Sequence, residues 1–239
     1  MLKNTKMKTV VVLSGAGISA ESGISTFRDA NGLWEGHDVM EVASPQGWKK
    51  NPALVLDFYN KRRKQLKEVK PNQAHLALAT LEDEFDVTII TQNVDDLHER
   101  AGSKKVIHLH GELLKARSTF DERLVYDWHK DINIEDFCEY QHQLRPHIVW
   151  FGEMVPMIEP AAEMVSQADY IMVVGTSMQV YPAASLVHFR KKNVPVYFID
   201  PKPNINPNEM EDLVIIPEKA GTGVPKAILH LSDKYTGDL

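Results

Sequence analysis

The chain has 239 residues, of which 43% are hydrophobic and 25% charged, enough for one large domain with a smaller insertion. The formal net charge of -6 argues against nucleic acid as a partner, and no apolar run is long enough for a membrane span. The single cysteine, Cys138, excludes an internal disulfide framework and a cysteine-rich metal site and fits a reducing compartment. The apolar run VVVL after the basic N-terminal residues is too short for a signal sequence, so we expect a cytoplasmic protein.

Six apolar runs of strand length alternate with helical patterns along the chain. In order they are TVVVLSG, DVTIITQN, VIHLHG, YIMVVGTS, VPVYFID and DLVIIP. Helices are predicted at 72–84, capped by Asn72, and at 160–167, 182–192 and 224–231. Buried strands joined by helical crossovers predict an α/β fold with a Rossmann-type, doubly wound parallel sheet, which holds ligands at the carboxyl ends of its strands.

Two stretches interrupt this alternation and predict a smaller inserted domain. Residues 28–70 contain no strand run, and residues 112–147 are polar and aromatic with few aliphatic side chains. We therefore expect residues 1–27, 71–111 and 148–239 to form the Rossmann domain, and the two interrupting stretches to pack together.

The segment SGAGISAESGISTFRD follows the first strand and contains a glycine pattern. Gly15, Gly17 and Ala20 match the G-x-G-x-x-G/A spacing, in which absent side chains let backbone amides approach a pyrophosphate. The alternative is an ordinary tight turn between strand and helix. A conventional dehydrogenase also needs a second strand that ends in an acid, but NGLWEGHD stands at that place, so this class is disfavoured.

Polar groups follow three other strands and are expected to face the same crevice, in TQNVDDLH, HLHG and VVGTS. Each has a plain alternative, because Asn93 and Thr176 could cap helices and a lone histidine in a strand is usually structural. Asp200 closes another strand and could accept hydrogen bonds from ribose hydroxyls or merely start the turn before Pro201.

A helix is also predicted from Pro52 to Val69, and its apolar stripe contains an arginine. Arg62 lies between Phe58 and Leu66 on that stripe, where an apolar residue is expected. An arginine on a buried face needs an anion, whereas the alternative is a solvated KRRK run.

Taken together, GAGISAESGISTFRD, TQNVDDLH, HLHGE, VWFGE and GTS with VYPAA resemble the sirtuins, which are NAD-dependent protein lysine deacylases. The resemblance implies that NAD and an acylated lysine of a protein or peptide meet between two domains, releasing nicotinamide and O-acyl-ADP-ribose. It implies His110 as general base, with Asn93 beside it, and a substrate backbone bordered by Val149, Gly152 and Glu153. The residues it implies for the cofactor are Gly15, Ala16, Gly17, Ala20, Phe27, Arg28, Gln92, Asn93, Asp95, Gly175, Thr176, Ser177, Asp200 to Lys202, and Ala220.

Tyr59 and Arg62, with Ala43 as a small residue that leaves room, resemble the class III branch that removes succinyl and malonyl groups. We therefore expect these groups to be preferred over acetyl; the alternative is that Arg62 pairs with an acid at the helix rim, such as Asp57 or Glu68.

The sequence departs from the family in two places. The four zinc-binding cysteines of many sirtuins are lacking, so we expect no metal and suggest an aromatic substitute formed by Tyr126, Trp128, Phe137 and Tyr140. Asp200 stands where the family usually has asparagine, which bears on the affinity for NAD. Two other functions remain open: a metal-dependent hydrolase that uses the His108 and His110 pair, and a noncatalytic module that binds NAD or ADP-ribose.

Overall fold

The computed structural model of the chain describes residues 7–25, 33–206, 210 and 212–237. Its largest element is a parallel sheet of six strands in the order β11-β10-β9-β1-β4-β5. Read from the β5 edge, this is the doubly wound order, in which strands are added toward one edge as far as β5 and toward the other edge from β9 onward, so the switch point lies between β1 and β9. The six strands are β1 (Thr9–Ser14), β4 (Asp86–Thr91), β5 (Val106–His108), β9 (Tyr170–Val174), β10 (Val196–Ile199) and β11 (Leu213–Ile216).

All six strands of this sheet lie within the apolar runs of the sequence, which confirms the predicted fold class. Alternate residues of β1 enter two different cores: Val10 and Val12 join one hydrophobic cluster, and Val11 and Leu13 join the other. Because successive side chains of a strand point to opposite faces, a strand buried in this way needs helices on both sides of the sheet.

Helices cover both faces of the sheet. One face holds α5 (Gln73–Leu81) and α8 (Ala220–Gly237), and the other holds α7 (Ile158–Gln167) and a 3-10 helix (Ala183–Phe189). The Asn72 side chain accepts a hydrogen bond from the Ala74 amide, which confirms the predicted cap of α5. Within the described ranges, no helix combines the length and apolarity needed to cross a membrane.

A second group of elements comes from the two interrupting stretches. It has a three-stranded antiparallel sheet in the order β7-β6-β8 and a two-stranded hairpin, β2-β3, which the sequence did not predict. The long helix α4 contacts β6 and β8. These elements are β2 (Leu33–Trp34), β3 (His37–Asp38), α2 (Val39–Val42), α3 (Pro45–Lys50), α4 (Pro52–Glu68), β6 (Gly111–Ser118), β7 (Val125–Asp127) and β8 (Leu144–Ile148).

The antiparallel sheet has its own small core around Cys138. Leu56 of α4 and Leu144 of β8 belong to this cluster, together with Ala116, Ile132 and Cys138. The suggested aromatic substitute is only half correct: Tyr126 and Trp128 pack against this core, whereas Phe137 and Tyr140 are 47% and 59% exposed. Aliphatic side chains from α4 and the sheet fill the centre, so two of the four rings stay outside.

Candidate active site

The glycine loop after β1 packs against the loop after β9, backbone against backbone. The amides of Gly15 and Gly17 donate to the carbonyls of Val174 and Gly175 at 3.0 and 2.8 Å. A Cβ on Gly17 would lie 2.7 Å from the Gly175 Cα atom, and Gly175 itself has a φ of +61°. Side chains at these two positions would push the loops apart, so the glycines set the edge of the crevice.

The other predicted members of this loop lie close by. Ala16 begins α1 (Ala16–Ser19) and is partly exposed, and Ala20 begins a 3-10 helix and is exposed. Phe27 and Arg28 lie outside the described residues.

A buried network of polar side chains joins the glycine loop to the end of β4. The Ser19 hydroxyl donates to Asp95 Oδ2 at 3.0 Å and accepts from Asn93 Nδ2 at 3.1 Å. The Leu97 amide donates to the other Asp95 oxygen at 3.1 Å. Burial raises the pKa of Asp95, and the bonds from Leu97 and Ser19 oppose that rise. Ser19 was not assigned from the sequence, although it stands inside the glycine motif.

Gln92 links the same strand end to the loop after β9. Its Nε2 donates to Thr176 Oγ1 at 3.1 Å, and the Met178 amide donates to that hydroxyl at 3.2 Å. The ends of β1, β4 and β9 are thereby connected by side chains from all three loops. The predicted convergence at one edge of the sheet is what the geometry shows.

His110 follows β5 and reaches the same crevice with a defined tautomer. Its Nδ1 lies 3.0 Å from the Gln92 carbonyl, which can only accept, so Nδ1 carries the hydrogen and Nε2 carries a lone pair. Burial lowers the pKa of His110, and the bond to the Gln92 carbonyl opposes this. The ring is therefore neutral near pH 7 and can act as a base through Nε2.

His108, two residues earlier, has the opposite protonation. Its Nδ1 lies 3.1 Å from the Asn93 carbonyl and its Nε2 lies 2.7 Å from Glu99 Oε1, so both nitrogens donate. Burial alone would lower the pKa of His108, but the bond and charge of Glu99 raise it above its ordinary value. A histidine that donates from both nitrogens offers no lone pair to a metal, which counts against the hydrolase alternative. No group of three or more His, Cys, Asp or Glu side chains could hold a metal ion in the part of the chain that the structure describes.

The residues predicted for the adenosine half lie at the neighbouring strand ends. Gly175 and Thr176 are buried and Ser177 is partly exposed, while Ala220 is buried at the start of α8. Asp200 is also buried, and its Oδ1 accepts a hydrogen bond from the Lys202 amide at 2.8 Å. The turn-forming alternative for Asp200 is thus observed, and its contact with a ribose stays a prediction.

Tyr59 on α4 is fully buried in a hydrophobic cluster that also contains Phe58 and Trp150. Its hydroxyl oxygen accepts from Trp150 Nε1 at 3.0 Å, which leaves the hydroxyl hydrogen for another acceptor. Ala43 belongs to the same hydrophobic cluster, and its carbonyl accepts from the Phe151 amide at 3.0 Å. Trp150 was not assigned from the sequence, although VWFGE contains it.

Arg62 lies one turn further along α4, among aromatic rings. Its guanidinium carbon is 4.0 Å from the centre of the Phe58 ring and 6.0 Å from that of Trp34. Its Nη2 lies 3.4 Å from Glu35 Oε2, and its Nη1 donates to the Phe58 carbonyl at 3.1 Å. Burial lowers the pKa of Arg62, and Glu35 opposes that shift.

The rim alternative named the wrong acid for Arg62. Asp57 pairs with Lys61 at 2.8 Å, whereas the partner of Arg62 is Glu35 from the β2-β3 hairpin. The neighbouring Arg63 is buried more deeply, at 1% exposure, and donates to the Leu113 carbonyl at 3.1 Å. The sequence marked Arg62 because it shares the stripe of Phe58 and Leu66, but the helix also buries the adjacent face.

The residues predicted to border the substrate backbone follow β8. The Val149 amide donates to the His110 carbonyl at 2.9 Å, and Gly152 is exposed with a φ of +89°. The carboxylate of Glu153 is engaged within the protein, because it accepts from Arg117, Arg145 and the Trp150 amide. Its side chain therefore supports the loop, and contact of this segment with a substrate stays a prediction.

Comparison with known proteins gives a consistent set of similarities. A model described as the Sir2 family matches residues 15–182. A curated NAD-dependent protein deacylase of Helicobacter pylori (strain ATCC 700392 / 26695) is 65% identical over 196 residues, which is 82% of this chain and 86% of that protein. One of Bacteroides thetaiotaomicron is 52% identical over 227 residues, covering 91% of this chain and 95% of that protein. A solved structure of a Sir2 homolog–NAD complex has 39% identity and a TM-score of 0.83, covering 96% of this chain and 91% of that one.

Proposed function

This chain belongs to the Sir2 family, the sirtuins, and from that premise we propose that it removes succinyl and malonyl groups from lysine in preference to acetyl. It is an NAD-dependent protein deacylase, and NAD is its cofactor. Its substrates are acylated lysine side chains of proteins or peptides. Nicotinamide and an O-acyl-ADP-ribose are the products that we propose.

The loop contacts and the polar groups of the crevice support NAD as its ligand. Gly15, Gly17 and Gly175 let the loops after β1 and β9 pack directly on each other, which brings the ends of these strands together at the edge where we propose that the pyrophosphate binds. The Ser19, Asn93 and Asp95 network presents buried polar side chains beside that loop. Bound NAD supplies the ribose carbon to which the acyl oxygen is transferred, with nicotinamide as the leaving group.

The protein contributes a base and a scaffold that holds it. Nε2 of His110 takes up one proton, and the Gln92 carbonyl keeps the ring in the orientation that presents this nitrogen. Asn93 is held by Ser19, and its backbone carbonyl accepts from His108, which Glu99 keeps protonated. No protein nucleophile is needed, so the absence of a catalytic cysteine from the sequence is no obstacle.

The observation that carries the acyl preference is the partly buried guanidinium of Arg62, which lies between the rings of Phe58 and Trp34 and within one helical turn of Tyr59. The Arg62 side chain is 15% exposed, so a carboxylate that binds there is partly removed from water. A charge-assisted bond of this kind contributes about 1.5 to 3 kcal/mol, or roughly ten- to a hundredfold in kcat/KM. Tyr59 can donate its hydroxyl hydrogen to the same carboxylate. Acetyl-lysine has no distal carboxylate and gains neither contact.

Matched succinyl, malonyl and acetyl peptides, with and without NAD, test the proposal by product mass spectrometry and steady-state kinetics. The Arg62→Met variant should lose most of the preference for the acidic groups and keep much of any deacetylase activity. Lys61→Met is the control, because Lys61 is exposed and pairs with Asp57 on the outside of the same helix. Equal losses on succinyl and acetyl peptides in Arg62→Met would show that this arginine supports the fold and does not read the acyl group.

His110→Ala tests the catalytic part of the proposal. The variant should fold and bind NAD but lose its turnover on every acyl peptide, because no other base is held at this position. Near-normal turnover in a folded His110→Ala protein would refute the base assignment. NAD binding without nicotinamide release by the wild type would favour the noncatalytic alternative.

A further inference from the structure

The β2-β3 hairpin places one acidic side chain against Arg62. Glu35 and Gly36 form its two-residue turn, with φ values of +51° and +82°, as a type I′ turn requires. Trp34 and His37, on either side of that turn, pack edge-on against Phe58, with ring centres 4.9 and 5.6 Å from the centre of the Phe58 ring. Two ring contacts with α4 therefore fix the turn, and the Glu35 carboxylate with it, over the helix.

The contact between Glu35 and Arg62 differs from the surface ion pairs of α4. The two side chains are 30% and 15% exposed, whereas those of Asp57 and Lys61 are 57% and 67% exposed. The rings of Trp34 and Phe58 flank the guanidinium and limit its access to water. Among the described residues, the carboxylate that pairs with Arg62 is that of Glu35, which lies on the hairpin and not on α4.

We propose that Glu35 is a specificity-determining residue: its carboxylate occupies Arg62 in the free enzyme and must be displaced by the carboxylate of an acidic acyl group. This inference rests on the proposed function, because it requires Arg62 to read that group. Two carboxylates on one guanidinium between aromatic rings repel each other, so binding of the substrate is an exchange of partners. The gain in kcat/KM for succinyl-lysine therefore reflects the difference in free energy between the ion pair with the substrate and the ion pair with Glu35.

Glu35 has a different consequence for acetyl-lysine. An acetyl group brings no charge, so the Glu35 pair can persist while that substrate is bound. Arg62 then keeps a partner in a partly desolvated site, where an unpaired charge would be costly. Glu35 thereby reduces the ratio of kcat/KM for acidic acyl groups to kcat/KM for neutral ones, so the enzyme accepts both kinds of substrate.

Kinetics on the Glu35→Gln and Glu35→Ala variants test this role, with KM and kcat measured separately on matched succinyl and acetyl peptides at saturating NAD. Loss of a partly exposed ion pair should lower the succinyl KM by about two- to fivefold. The acetyl KM should not fall, so the ratio of the two kcat/KM values should rise by the same factor. Asp57→Asn is the control, because it removes one negative charge from α4 without touching Arg62, and it should leave the ratio unchanged.

The outcomes separate this inference from the proposed function. If Arg62→Met loses the acyl preference but neither Glu35 variant raises the ratio, Glu35 does not compete for Arg62 and the inference is wrong while the proposed function stands. A rise of both KM values in both variants also overturns it, because Glu35 would then only hold the hairpin in place. If Arg62→Met affects both acyl groups equally, the proposed function itself fails.

Discussion

The substitution Glu153→Gln should destabilise the fold, because the Glu153 carboxylate joins two buried arginines to the loop after β8. Its carboxylate accepts from Arg145 Nη1 at 2.8 Å, from Arg117 Nη2 at 3.1 Å and from the Trp150 amide at 2.8 Å. The guanidinium of Arg145 also lies over the Trp150 ring, 3.3 Å from its centre. Since Trp150 in turn donates to Tyr59, Glu153 supports the proposed acyl site through its neighbours.

The expected cost of Glu153→Gln follows from the burial of these groups. The two arginine side chains are 9% and 10% exposed and that of Glu153 is 20% exposed. Breaking a buried ion pair costs about 3 to 5 kcal/mol, but glutamine keeps the shape and one acceptor, so we expect a loss of about 2 to 4 kcal/mol in the free energy of unfolding.

Urea denaturation of wild type and Glu153→Gln measures this loss. Glu41→Gln is the control, because Glu41 and Lys50 are 51% and 79% exposed and 3.9 Å apart, so their pair contributes less than about 1 kcal/mol. A loss below about 1 kcal/mol for Glu153→Gln, with a large rise in peptide KM, would refute this reasoning and indicate that the side chain binds substrate.

The bonds to Glu153 also predict a dependence on pH. Burial alone would raise the pKa of Glu153, but Arg145 and the Trp150 amide hold it below its ordinary value of 4.5. The wild type should therefore keep this stabilisation above about pH 4.5 and lose it as the pH falls through the lowered pKa. Glu153→Gln should not show that component of the acid loss.

Three further predictions concern other parts of the molecule. Gly175→Ala should cost about 2 kcal/mol or more and weaken NAD binding in titrations, because the residue has a φ of +61° and its Cβ would lie 2.3 Å from the Ile18 amide; normal affinity would contradict this. Burial lowers the pKa of His75 to about 4, so the unfolded chain takes up a proton that the native chain does not, and unfolding free energy should fall by about 2 kcal/mol between pH 7 and pH 5. Loss of this component in His75→Gln checks the assignment, and an unchanged pH slope would refute it. Activity should survive chelators, since Cys138 is the sole cysteine and lies in an aliphatic core; one zinc per chain by elemental analysis would overturn this.

The sequence by itself determined the elements of the Rossmann sheet. Each strand is a run of apolar residues and each run is bounded by turn residues, so local pattern and burial agree, and the helix from Pro52 ends within one residue of its predicted end. The sequence also marked Gly15 and Gly17 as positions that need no side chain; it assigned this need to a pyrophosphate, whereas the structure shows a close contact with the loop after β9.

The tertiary structure decided which partner each polar side chain has. His108 and His110 are two residues apart with the same side chain, yet Glu99 of α6 (Leu97–Ala101) keeps the first protonated while the bond to the Gln92 carbonyl leaves the second with a lone pair on Nε2. Periodicity reports whether a residue faces the interior, but it carries no information about which distant group lies opposite.

The same limit applies to Arg62. Its position on the apolar stripe of α4 predicted that it needs an anion, and the sequence offered acids of the same helix as the nearest protein alternatives. The partner is Glu35, on a two-residue turn between strands too short to be recognised as a pattern. Helical spacing determined that a positive charge lies on the apolar face of α4. Only the packing of the hairpin against α4 through Trp34 and His37 determined which carboxylate meets that charge, because the contact depends on rings from separate elements.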